Sequence, residues 1–196
     1  MDIAKARQME QRSHLMKALD RARPDVAPES LLLRSLKQSS LALERDALLK
    51  ELDYLEAKGI VAHSNVLWWL TPLGIDVLEH SVEAPPGIPQ NGTYSPQELL
   101  RRKELRVRVL VALWYGRPEF TPHGVVWGAV SDADMIVTGN EVVREALYLQ
   151  GKALIELSGD PKNDWAAKLT ATGLDVLDRN IDAPVGIDLI EQYWGG

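Results

Sequence analysis

Asn140 and Arg144 stand four residues apart in an expected helix. Both side chains suit base edges, asparagine on adenine and arginine on guanine, each through two hydrogen bonds. Arg45 and Lys50 hold comparable positions in an earlier helix, Arg45 as a guanine reader and Lys50 as a phosphate contact. The plain alternative is that both are solvated charges paired with a carboxylate one turn away. Lys162 and Lys168 lie in and beside an expected hairpin. The densest basic cluster, Arg101-Arg102-Lys103-Glu104-Leu105-Arg106-Val107-Arg108, opens another helix. It suits a phosphate backbone or an acidic partner, or else is a solvated helix face.

A second set of residues points to protein instead of double-stranded DNA. Leu49, Val143 and Leu147 fall on expected outward positions of two helices. Exposed apolar side chains there suit a partner, self-association or the packing of one module on the other. Trp68 and Trp69 project to opposite sides of one strand, so both cannot face one core. Lys168 occupies the place of Trp69 in a second copy of the same element, which marks Trp69 as the exposed member. An exposed tryptophan is an interface anchor; the alternative is that it covers a neighbouring helix.

Enzyme chemistry has little to stand on. Gly124 and Gly128 are isolated, with no Lys-Ser/Thr after them, so no phosphate-cradling loop is present. HExxH and G-x-S-x-G are absent. His14, His63, His80 and His123 are scattered over different elements, and only His63 and His80 are expected to come near each other. Asp132 and Asp134 sit in an expected turn, where aspartate serves local hydrogen bonds. A non-enzymatic protein without cofactor or metal is expected.

The chain of 196 residues is 45% hydrophobic and 26% charged, an ordinary globular composition with room for two small domains. It has no cysteine, which excludes disulfides and thiolate metal sites. The first residues are mixed charged and polar, unlike a signal peptide, and no apolar run approaches a membrane span. A cytoplasmic protein without membrane contact is expected. The formal net charge is −6, divided as −2 over residues 1–90 and −4 over 91–196. Dedicated nucleic-acid binders carry a basic domain or stripe, so this balance weakens a DNA reading.

The elements that position these residues repeat. Helices are expected over 4–21, 29–37 and 44–58, with a short strand at 41–43. Leu48, Leu52 and Leu55 give the third helix one apolar face. A hairpin over 60–70 and a helix from Thr71-Pro72 to about Ser81 follow. A shift of 94 positions pairs residues 18–61 with 112–155, matching Arg23-Pro24, Glu51 and Tyr54 to Arg117-Pro118, Glu145 and Tyr148. After the hairpin the shift is 99, pairing Leu70-Thr71, Gly74 and Asp76-Val77-Leu78 with Leu169-Thr170, Gly173 and Asp175-Val176-Leu177. The difference places a five-residue insertion in the second hairpin, at Ser158 to Asp164. Duplication of one unit follows. The expected fold is mainly α with small β-hairpins (α+β), a tandem winged helix-turn-helix. Expected boundaries are 1–82, a Pro/Gly linker at 83–94, a second domain at 95–182 and a tail at 183–196.

The stretch LALERDALLKELDYLEAKGIV, then LTPLGIDVL and a Pro-Gly-Ile tail, resembles small winged-helix proteins of Mu-like phages and prophages. The matching residues are Arg45-Asp46, Leu52-Asp53-Tyr54-Leu55, Gly59-Ile60-Val61, Leu70-Thr71, Gly74, Asp76-Val77 and Pro86-Gly87. Gly139-Asn140 stands in place of Arg45-Asp46 in the second copy, and this chain departs by carrying two copies. The Leu-Thr-x-x-Gly element is also similar to MarR- and PadR-like regulators. The resemblance implies a phage-type winged-helix protein, in a bacterial cell or phage-infected host. The fold, with Asn140, Arg144, Lys162, Lys168 and the Arg101–Arg108 cluster, leads to the expectation of a DNA-binding regulator or accessory factor of a phage or prophage, a homodimer using the second module. The competing expectation is an acidic protein-interaction adaptor, similar in architecture and charge to bacterial condensin accessory subunits. It rests on the acidic third helix and on Leu49, Trp69, Val143 and Leu147.

Overall fold

Leu48, Leu52 and Leu55 are fully buried and form the inner stripe of a helix, Arg45–Ala57. Each such leucine contributes about 2 kcal/mol through the apolar surface it removes from water. This helix belongs to the first of two units, Met1–Ser95 and Pro96–Gly196. The computed structural model describes residues 3–90, 94–132 and 134–189. The first unit runs α1 (Ile3–Ala22), β1 (Ala27–Pro28), α2 (Glu29–Gln38), α3 (Arg45–Ala57), β2 (Val61–Ser64), β3 (Leu67–Leu70) and α4 (Pro72–Leu78). The second runs α5 (Pro96–Tyr115), β4 (Thr121–Pro122), α6 (His123–Val130), α7 (Gly139–Gly151), β5 (Ile155–Asp160), β6 (Asp164–Leu169) and α8 (Ala171–Leu177). The chain is thus mainly helical α+β, with a three-stranded antiparallel sheet in each unit.

The sheets have matching strand orders, β1-β3-β2 and β4-β6-β5. Ala27 pairs with Trp68 and Val61 with Leu70; Thr121 pairs with Ala167 and Ile155 with Leu169. Each strand of the first hairpin has four residues and each of the second has six, which is where the five-residue insertion went. Its tip is closed by Asp160, whose carboxylate accepts from the Lys162 backbone N–H and the Asn163 side chain. Those bonds hold the Asp160 carboxyl below its ordinary range.

Two expectations about local structure change. Residues 41–43 form no strand: Leu41 N–H bonds the Leu36 carbonyl in the turn after α2, and its side chain goes into the core. The third strand is instead Ala27–Pro28, which pairs with β3 just before Pro28 serves as the N-cap of α2. The Pro/Gly segment after α4 is no mere linker either. Ile88 is buried, and Pro86 and Gly87 accept hydrogen bonds from Tyr54 and Arg12. Residues 185–187 are held in the same way in the second unit, so that tail is also part of its core.

Helix starts follow the capping chemistry in the sequence. The Thr71 and Thr170 hydroxyls accept from Gly74 and Gly173 N–H, while donating to the carbonyls of Gly59 and Ala153. Each threonine therefore fastens its last helix to the start of its hairpin. Thr138 and Glu141 form a reciprocal capping box on α7.

Candidate functional site

Arg106, expected to face phosphate, is fully buried. Its Nε donates to Glu145 Oε2 at 2.7 Å, and neither side chain is exposed. Its Nη1 donates to the Gly186 carbonyl, and the guanidinium lies 3.8 Å from the Tyr148 ring centroid. Tyr148 in turn donates to the Val185 carbonyl. One arginine thus ties α5 to α7 and to the Pro-Val-Gly tail. The first unit repeats the clamp: Arg12 meets Glu51 at 2.6 Å, the Gly87 carbonyl at 2.7 Å and the Tyr54 ring at 3.7 Å. Arg12 and Arg106 are related by the same shift of 94 that relates Glu51 to Glu145 and Tyr54 to Tyr148. Extending the repeat six residues toward the N-terminus would have found it. Gly87 has φ +85, and a Cβ there would come 2.2 Å from the Tyr54 hydroxyl oxygen, so only glycine lets the tail lie against this ring.

Arg101, Lys103 and Arg108 of the basic cluster are also engaged within their own unit. Arg101 donates to the Ile136 carbonyl and to Glu141. Arg102 is buried. Lys103 pairs with Asp188 at 2.9 Å, and Arg108 with Glu104 and Asp132. Burial alone would raise the Glu141 carboxyl; the Thr138 N–H and hydroxyl and Arg101 outweigh it and leave it below the ordinary range. Arg108 does the same to Asp132, whose other oxygen caps the backbone of Asp134 and Met135. The stripe is therefore not an open phosphate surface, because carboxylates of α5, α7, the α6–α7 connection and the tail already neutralise it.

The remaining basic candidates are distributed. Arg45 is exposed but paired to Glu29 at 2.8 Å, a bond that raises its pKa. Lys50 is exposed. Lys168 pairs with Glu156 and lies over the Phe120 ring. Lys162 is exposed at the hairpin tip between the exposed carboxylates of Asp160 and Asp164. Asn140 is exposed at the start of α7, and Arg144 is half-buried and reaches Glu145. Because Glu141 and Glu145 turn to Arg101 and Arg106, the exposed residues of α7 are Gly139, Asn140, Gln150 and Gly151, none acidic. On α3, by contrast, Asp46 and Asp53 are exposed.

The four apolar candidates are less open than expected. Val143 is buried, since α7 buries six residues where α3 buries three. Leu49, Leu147 and Trp69 are half-buried. Trp68 is the core member, stacked on His63 at 4.4 Å. Exposed apolar side chains occur on several elements, Leu100 and Tyr115 of α5 and Val66 of the first hairpin among them, and three fall on α6 and the connection after it: Val125 is 59% exposed, Trp127 47% and Ile136 77%. Leu31, which the shift of 94 pairs with Val125, is 41% exposed on α2. The sequence signal was His123 to Val130, eight residues without an acid, lysine or arginine.

His14 has a displaced titration. Its Nε2 meets the Ser35 hydroxyl at 2.8 Å between α1 and α2. Burial first, then Arg21 and Lys17, lower its pKa from 6.5. The unfolded chain therefore takes up this proton before the folded one. Stability from this group is complete above the unfolded pKa of 6.5 and declines as pH falls toward the folded value. An NMR titration should give His14 a midpoint below 6.5, and His14→Gln should remove that part of the decline; a midpoint at or above 6.5 refutes it. His63 pairs with Glu56 and His80 is exposed. Among the described residues, no group of three or more potential ligands is placed to hold a metal ion, and no helix is long and apolar enough to cross a membrane.

No protein-family model and no curated protein matches the chain. Among solved structures, the DIP2311 protein from Corynebacterium diphtheriae is similar over 86% of this chain and 28% of that chain. The identity is 15% and the TM-score 0.27. This chain thus spans a minor part of that protein, and so low a likeness supports no inference about fold or function.

Proposed function

We propose that each unit is a winged helix, with α3 and α7 as third helices and the two hairpins as wings. In this reading the chain is a non-enzymatic protein-interaction adaptor built from two of them. One observation carries it: Arg101, Lys103, Arg106 and Arg108 stand in ion pairs and hydrogen bonds within their own unit, while α6 and the following connection expose Val125, Trp127 and Ile136. A phosphate backbone needs a continuous cationic face, and the net charge of −6 opposes one. An apolar face suits a protein partner. Fluorescence polarisation with a random-sequence duplex at low salt should show no binding up to protein concentrations of tens of micromolar, roughly where non-specific DNA affinity is expressed. Binding in that range, lost steeply on adding salt, would overturn the adaptor reading.

A second reading has its own support. α7 exposes Asn140 with no exposed carboxylate beside it, and Arg144 follows one turn on. That is the arrangement of a third helix reading DNA in the major groove, as in a phage-type regulator. In the same titration, binding that disappears in an Asn140→Ala, Arg144→Ala double variant would establish this reading in place of the first.

A further inference from the structure

The two units diverge in chemistry at the helix after the first strand. The shift of 94 pairs Ser30, Leu31, Leu33, Arg34 and Lys37 with Gly124, Val125, Trp127, Gly128 and Ser131. In α2 the exposed positions include Arg34 and Lys37; in α6 they are Gly124, Val125, Trp127, Gly128 and Ala129. Among the described residues, a Cβ added at Gly124 or Gly128 would meet nothing within 4 Å. Packing within the unit therefore does not require glycine at either position, and glycine disfavours the helix. On the outer surface of α6, the helical period sets Gly128 at the centre beside Gly124, with Val125 and Ala129 on one flank and Trp127 on the other. Trp127 is a fixed wall, because its Nε1 donates to the Val137 carbonyl at 2.9 Å.

Resting on the adaptor reading, we propose that this face is a homodimer contact, α6 packing against α6 of a second copy about a twofold axis. Charge selects the occupant. A basic partner finds no exposed carboxylate on α6 and an acidic partner finds no cation, so the matching surface is itself uncharged. Two copies of net charge −6 repel, and they meet at least cost across a face that carries none of that charge. The face is also its own complement, as a twofold contact requires: a glycine floor between apolar ridges accepts close approach of the same backbone.

Sedimentation equilibrium on the full chain, up to concentrations on the order of 100 µM, should show the mass rise from 21.8 kDa toward twice that value. Gly128→Arg gives α6 the residue that α2 has at the equivalent place and sets it against its own twofold mate. It should weaken association by about 100-fold or more while the circular dichroism spectrum is unchanged. Val125→Lys should do the same. A wild type that stays monomeric throughout, or a Gly128→Arg variant that dimerises equally well, overturns the proposal. DNA binding in the polarisation assay would overturn the adaptor reading without touching this mass measurement, so the two failures are distinguishable.

Discussion

Glu145→Ala should destabilise the second unit by about 3–5 kcal/mol, the cost of removing one partner from a buried ion pair. Arg106 cannot relieve the loss by deprotonating, because a guanidinium stays charged. Water has no ready access, since neither side chain of the pair is exposed. The first unit supplies the internal control. Its pair, Arg12 and Glu51, has 9% and 12% of side-chain surface exposed, so water can solvate what remains after Glu51→Ala. The cost there should be smaller, on the order of half. A further variant separates charge from packing: Arg106→Met with Glu145→Leu removes both charges and keeps apolar volume, and should recover most of the loss. Urea denaturation with hydrogen exchange read on α5 and α7 amides measures all of these. A loss under about 1 kcal/mol for Glu145→Ala would mean that the pair is better solvated than its burial indicates.

The same clamp marks how far residue types alone could lead. Period and capping were readable: the Leu48, Leu52 and Leu55 stripe, Thr71 as a cap and the lengthened second hairpin all appear where spacing put them. Surface exposure was not, because it depends on what the helix lies against. Arg106 and Arg108 are two residues apart, yet one is fully buried and the other pairs across to Asp132. Nothing local distinguishes a solvated arginine from one neutralised by Glu145, which is 39 positions away. The repeat does distinguish them, since Arg12 recurs as Arg106 along with Glu51, Tyr54 and the glycine of the tail. Val143 failed for a related reason: the apolar face of α7 is wider than that of α3, so a position at its edge is covered. The exposed face of α6 carries no acid, lysine or arginine, so residue types alone do not mark it as surface.

Gly173→Ala should cost about 3 kcal/mol, the upper part of the usual range for forcing a methyl into a packed site, and Gly74→Ala about as much. A Cβ at Gly173 would lie 2.1 Å from the Leu154 carbonyl oxygen and 3.1 Å from a Leu169 methyl; at Gly74 it would lie 2.1 Å from the Ile60 carbonyl oxygen. The obstructing atom is backbone, so no rotamer change relieves it. The Leu154 carbonyl is also pinned, since it accepts from Thr170 N–H at 3.1 Å while the Thr170 hydroxyl holds the Ala153 carbonyl at 2.7 Å. Relief requires α8 to move off the hairpin and to loosen its own cap. Gly128→Ala is the opposite case. Its Cβ enters open space, so the helix should gain up to about 1 kcal/mol. One chemical change is therefore expected to carry opposite signs at two glycines of the same unit. Thermal unfolding at low protein concentration reads both, and a Gly173→Ala protein as stable as wild type would refute the close seat of α8. The glycine of Leu-Thr-x-x-Gly is thus explained by where helix and hairpin must touch, whereas those of α6 answer to no contact within their own unit.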